Sequence, residues 1–226
     1  MPFPSARPSA IGFAIRRRPI MAEVERPQLY LVTPPEIDLE IFPDRLAAVL
    51  DSTEVACLRL ALAGKDEDRI ARTGDALREV AHARDVALVI ENHVLMVERL
   101  GLDGVHLTDG ARLVRKLRKD LGPDAILGAF CGRTRHEGIN AAEAGADYVA
   151  FGPVGTTALG DGSLAEAELF GWWSEMIEVP VVAEGALTPE KVAELAPLTD
   201  FFAVGEEIWR EEDAAAALRR LLAPLG

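Results

Sequence analysis

Gly145-Ala-Asp-Tyr-Val-Ala-Phe-Gly-Pro153 contains the end of one helix, a short buried strand and an abrupt stop. Gly145 supplies the left-handed residue that closes a helix. Tyr148 to Phe151 is an apolar run of the length expected for a parallel strand covered on both faces. Gly152-Pro153 breaks the strand and starts a loop carrying Gly155, Thr156, Thr157, Gly160, Asp161 and Gly162. In a barrel of parallel strands that loop lies at the carboxyl face, where ligands are handled.

The same rhythm extends in both directions. Upstream, strands are predicted at 29–33, 55–62, 86–90, 104–107 and 125–130, and helices at 42–50, 66–84, 94–100, 111–121 and 136–144. Downstream, helix 164–176, strand 179–183, a helix opened by Pro189, strand 201–204 and helix 213–222 complete the series. Pro189 suits a first helical turn, where its missing N–H has no partner to lose. Eight strand–helix pairs in one chain of 226 residues point to a single-domain (β/α)8 TIM barrel over 27–226. An open doubly wound sheet normally carries a glycine-rich turn after its first strand, and Thr33-Pro34-Pro35 is not one.

Residues 1–26 read as a disordered N-terminal extension. Its first 20 residues hold Arg7, Arg16, Arg17 and Arg18 and no acid, and Met21-Ala-Glu-Val-Glu has the look of an ordinary bacterial start. The formal net charge of −13 argues against nucleic acid or an acidic membrane as a partner and leaves a small molecule. Two cysteines without metal spacing, and no apolar run near the roughly 18 residues of a membrane span, fit a cytoplasmic protein. Phe170, Trp172 and Trp173 either cover a homodimer contact or fill space beneath a loop.

In a barrel the residues that matter stand at the strand ends. Arg59, inside a strand, needs a partner: a ligand phosphate or a carboxylate such as Glu91. Glu184 serves as acid or base, or pairs with Arg59 or Arg133. His106, between Val105 and Leu107, reads as a satisfied interior histidine sooner than a base. Cys131 reads as a small inert residue unless Arg133 stabilises its thiolate. Lys65 reads as a solvated loop charge.

Leu29-Tyr-Leu-Val-Thr33, Gly101-Leu-Asp-Gly-Val-His-Leu107, Gly145-Ala-Asp-Tyr148 with Phe151-Gly-Pro153, and Val179-Pro-Val-Val-Ala183 resemble the thiamine phosphate synthase and thiazole tautomerase superfamily. The resemblance implies a synthase that joins a pyrimidine methyl pyrophosphate to a thiazole phosphate. Pyrophosphate leaves first, assisted by Mg²⁺, Arg and Lys, and the thiazole phosphate rests on backbone N–H groups. It keeps Arg59 from the family pattern in a catalytic role, beside Glu184, which its strand-end position alone makes a catalytic candidate. Arg59, Asn92, His106, Cys131, Thr157, Gly185, Gly205 and Glu206 then line the substrate site.

The chain departs from the family pattern at its charged ligands. Cys57-Leu58-Arg59-Leu60-Ala61 keeps the arginine of the second strand and lacks the glutamine and lysine. Glu91-Asn92 stands for Asn-Asp, and Thr108-Asp109-Gly110-Ala111 for Gly-Gln-(Glu/Ser)-Asp. Glu91 and Asp109 are thus one residue away from the metal positions and are the candidates for a shifted Mg²⁺ site. In a strand that shift reverses side-chain direction, which would turn Glu91 out of the barrel. The strand-five Ser-x-His reads Phe130-Cys131-Gly132, and the lysine after the sixth strand is missing. Glu206-Glu207 replaces Ser-Ala after the eighth strand, setting carboxylates where the thiazole phosphate would rest. The reading is a synthase-like barrel with weak or absent synthase activity. The alternatives are a tautomerase-like protein using His136, a non-catalytic small-ligand binder, or different chemistry on a cationic or neutral substrate.

Overall fold

A computed structural model describes residues 26–156 and 163–226. The expected extension therefore lies outside the described residues except for Arg26. Eight parallel strands form a closed barrel: β1 (Gln28–Val32), β2 (Cys57–Leu60), β3 (Ala87–Glu91), β4 (Gly104–Leu107), β5 (Ile126–Phe130), β6 (Tyr148–Phe151), β7 (Val181–Glu184) and β8 (Phe201–Val204). Helices α1 (Phe42–Ser52), α2 (Glu67–His82), α3 (Leu95–Leu100), α4 (Val114–Leu121), α5 (Arg135–Ala144), α6 (Ala167–Met176) and α7 (Pro189–Leu195) follow β1 to β7 in turn. After β8 come a four-residue helix α8 (Glu206–Trp209), absent from the sequence reading, and α9 (Ala214–Leu222).

Local chemistry starts and stops these elements. Asp66, Thr134, Thr188 and Asp213 accept the first free N–H groups of α2, α5, α7 and α9. Gly145 closes α5 at φ 101°, as its position predicts. Helix α6 begins at Ala167, three residues later than the apolar spacing suggests.

Three aspartates stitch the amino end of the barrel. Asp103, Asp147 and Asp200 stand just before β4, β6 and β8, and their carboxylates accept the N–H groups of Leu88, Leu127 and Val181. Each returns its own N–H to the same residue's carbonyl. Every even strand except β2 is thus tied to the strand before it by a reciprocal pair of bonds.

Period-two alternation sorts the side chains into two cores. Leu29, Leu31, Leu58, Leu88, Ile90, Val149 and Phe151 face the helices. Tyr30, Cys57, Val89, Tyr148, Val182 and Phe201 fill the interior. Gly128 makes room there: a Cβ at that position would lie 2.0 Å from the Tyr148 ring. The aromatic cluster of α6 is mainly core. Phe170 and Trp173 are fully buried, and Trp172 is half-buried beneath the Arg135 guanidinium at 4.7 Å.

Candidate active site

The alternation that points Cys57 inward does the same for Arg59, one layer nearer the carboxyl end. Its side chain is 8% exposed and lies between two carboxylates. Nη1 donates to Glu184 Oε2 at 3.0 Å, while Nε lies 3.6 Å from Glu91 Oε2 and has no hydrogen-bond partner. The guanidinium also stands 5.7 Å from the centre of the Tyr30 ring. Burial is the largest single influence on the Arg59 charge and opposes it, but Glu184, with Tyr30, Tyr148 and Glu91, together outweighs it and holds the pKa above its ordinary value.

Glu91 faces inward, correcting the outward expectation. In the barrel register it pairs with His106, and both belong to the inward set. Burial raises the Glu91 pKa, against Arg59 and with help from the Glu184 charge. Two carboxylates around one guanidinium leave the layer one charge negative.

Below this layer runs a buried polar chain. The His106 Nδ1 and the Tyr148 hydroxyl are 3.0 Å apart, and the Tyr148 and Tyr30 hydroxyls 2.6 Å. The His106 ring stacks on Tyr148 with centroids 5.7 Å apart. His106 is interior, as expected, but only half satisfied, because its buried Nε2 has no partner. Burial, reinforced by the Arg59 charge, holds its pKa well below the usual histidine range. By proton NMR, His106 should therefore remain neutral at pH ~5.5, below the ordinary histidine pKa of about 6.5. The sign follows: the unfolded chain takes up a proton there that the folded chain refuses, so His106 contributes stability that is lost as pH falls. A His106 resonance titrating near pH 6.5 would overturn the buried-neutral assignment.

The other sequence-predicted residues are more dispersed. Asn92 takes φ 59° and is tied to Thr108 by two hydrogen bonds. Asp109 is paired with Arg112 at 3.9 Å. Mg²⁺ requires several oxygen ligands in near-octahedral array. Here Glu91 lies 3.6 Å from the Arg59 Nε, and Asp109 lies 3.9 Å from Arg112 in an exposed pair. Among the described residues no group of three or more His, Cys, Asp or Glu could hold a metal. Among the described residues Glu91 and Asp109 are not gathered into one donor set for Mg²⁺.

Cys131 follows the inward Phe130 and so turns outward into the barrel–helix core, where burial and the Glu137 charge push its thiol up to about 12. It is not a nucleophile in this setting. It lines an open depression of about 340 Å³ with Thr108, Asp109, Arg133 and Glu137, apart from the Arg59 cluster. His136 is exposed on α5 against Asn140, and Lys65 is exposed. Thr157 lies outside the described residues.

Gly185 and Gly205 stand at the mouth. Gly185 takes φ 89° and would place a Cβ 3.0 Å from Pro153. Glu206 is exposed, and Glu207 beside it is bonded to two backbone N–H groups. Sequence reasoning overlooked Tyr30 and Tyr148. Their visible signal was one polar atom each on an inward strand position, which needs a partner once buried.

No helix among the described residues is long and apolar enough to cross a membrane. The family described as thiamine monophosphate synthase matches residues 29–208. The thiamine-phosphate synthase of Rhodospirillum centenum is 40% identical over 194 residues, covering 84% of this chain and 93% of that protein. That of Erythrobacter litoralis is 37% identical over 203 residues, covering 87% and 95%. The structure of thiamine phosphate pyrophosphorylase from Pyrococcus furiosus superposes with a TM-score of 0.74 at 23% identity, covering 88% of this chain and 95% of that one. The sequence motifs, the closed eight-stranded barrel and these matches agree: the chain belongs to the thiamine monophosphate synthase family.

Proposed function

We propose that this barrel is a thiamine phosphate synthase-like protein that takes a heterocyclic small molecule at its carboxyl mouth, with weak or absent synthase turnover. The observation that carries the reading is Arg59. It is the cation retained from the family pattern, and it is buried between Glu184 and Glu91. A leaving pyrophosphate needs uncompensated positive charge around it. This layer presents one guanidinium already neutralised by one carboxylate and approached by a second. The lysines of the pattern are missing from the sequence, and each absent charge-assisted contact is worth roughly 1.5–3 kcal/mol.

The test is to mix the full chain with pyrimidine methyl pyrophosphate, thiazole phosphate and Mg²⁺, and to read thiamine phosphate as thiochrome fluorescence beside a working synthase. The expected rate is at least about tenfold below the control, the loss from one such contact. Turnover matching the control would sink the reading and imply that ligand binding rearranges the Arg59 cluster. The surplus carboxylate favours a second reading, a cationic or neutral heterocycle as ligand. Calorimetric titration with the unphosphorylated pyrimidine and thiazole alcohols checks it, and binding confined to the phosphorylated forms would exclude it.

A further inference from the structure

In barrels of parallel strands, the loops after the seventh and eighth strands and a short extra helix often cradle a phosphate on main-chain N–H groups. This chain builds the cradle and fills it with its own carboxylate. After β7, Gly185 and Ala186 both take positive φ, 89° and 54°. Beyond that reversal, the Leu187 N–H donates to Glu207 Oε1 at 3.0 Å. The Gly205 N–H, at the end of β8, donates to Glu207 Oε2 at 2.8 Å. One carboxylate thus bridges two loops, one oxygen to each.

The carboxylate is held on a fixed support. Glu207 belongs to α8, whose Ile208 is fully buried and whose Trp209 donates Nε1–H to the Val32 carbonyl at 2.6 Å. The Trp209 ring packs edge-on against Phe42 with centroids 4.9 Å apart. Glu206 is exposed and bonds neither amide.

We propose that Glu207 is the specificity-determining residue of this mouth: its carboxylate is the resident anion of the β7–β8 cradle and excludes phosphate esters. The ligand taken there then ends, on that side, in a neutral or cationic group. The inference rests on the reading that the mouth is the ligand site, and it names the ligand class. An incoming phosphate must either strip the carboxylate from both N–H groups or lie beside it, like charge against like charge. A neutral hydroxyl or a cationic group meets neither obstacle.

The test measures the Kd for inorganic phosphate by phosphorus NMR line broadening, with the full chain and its Glu207→Ala, Glu207→Gln and Glu212→Gln variants. Glu207→Ala should bind phosphate at least about tenfold more tightly than the unmodified chain, a difference of about 1.4 kcal/mol. Glu207→Gln should gain less, and Glu212→Gln, at an exposed residue, should change the Kd by under about twofold, although it removes the same charge. Phosphate should also raise the Tm of Glu207→Gln above any shift in the unmodified chain. If Glu207→Ala does not fold, Glu207→Gln decides, because it keeps a side-chain oxygen as acceptor. Equal binding by the unmodified chain and a folded Glu207 variant would overturn the inference, as would an equal gain from Glu212→Gln. No turnover is involved: tight phosphate binding by the unmodified chain, together with slow thiochrome formation, would remove this inference and leave the proposed function standing.

Discussion

Replacing Arg59 with alanine should lower folding stability by about 3–5 kcal/mol near neutral pH, the usual loss when one partner of a buried ion pair is removed. The effect is large because of what remains. Glu184 loses its 3.0 Å donor, and Glu91 loses the charge 3.6 Å away. Two carboxylates then share a partly buried layer, each raising the proton affinity of the other. The folded variant accordingly binds more protons than its unfolded chain above the ordinary carboxylate range. Its deficit should shrink as pH falls toward about 5 and grow as pH rises. Urea unfolding at both pH values measures this. Arg59→Met keeps much of the volume and should stay destabilised. Adding Glu91→Gln and Glu184→Gln to it should restore most of the loss, since the cost comes from unpaired charge and not from missing atoms. A loss under about 1 kcal/mol would mean that water reaches this layer and screens it.

Trp173→Ala should destabilise the chain by about 3–5 kcal/mol, lowering Tm by on the order of 10 °C. Trp173 is fully buried, packs against Phe151 with centroids 5.1 Å apart and donates Nε1–H to the Val179 carbonyl at 2.7 Å. Helix α5 approaches it so closely at Gly138 that a Cβ there would lie 2.5 Å from the indole. Truncation therefore opens a cavity between β6, α5 and α6 and leaves a carbonyl without its donor. Trp172→Ala should cost no more than about 1.5 kcal/mol, because that ring is only partly buried and its contact with Arg135 is a surface cation–π pair. Equal losses at both positions, measured by thermal unfolding, would contradict the assignment of Trp173 to the core and Trp172 to its margin.

The barrel was legible in the sequence because its evidence is local. Gly145 marks a helix end by needing positive φ, Tyr148 to Phe151 mark a strand by length, and Pro189 marks a first helical turn. The short helix α8 was missed for the same reason. Four residues beginning Glu206-Glu207 carry no periodic signal, and Trp209 and Ile208 fold inward only because Val32 and Phe42 lie beneath them. The aspartates before β4, β6 and β8 were visible as residues, yet their bonds to Leu88, Leu127 and Val181 depend on which strands become neighbours.

At the mouth, Arg59, Glu91, His106 and Glu184 were all identifiable as polar residues at strand ends, and the need of a buried arginine for a carboxylate followed from charge alone. The sequence by itself therefore determined the fold and the family. Only the tertiary structure decided that Glu91 faces inward, that both carboxylates converge on one guanidinium, that Tyr30 and Tyr148 complete the His106 chain, and that Glu207 bonds the amides of two loops. Those facts depend on inter-strand register and on loop reversals such as Gly185-Ala186. Both arise from contacts between residues far apart along the chain, which local pattern does not encode.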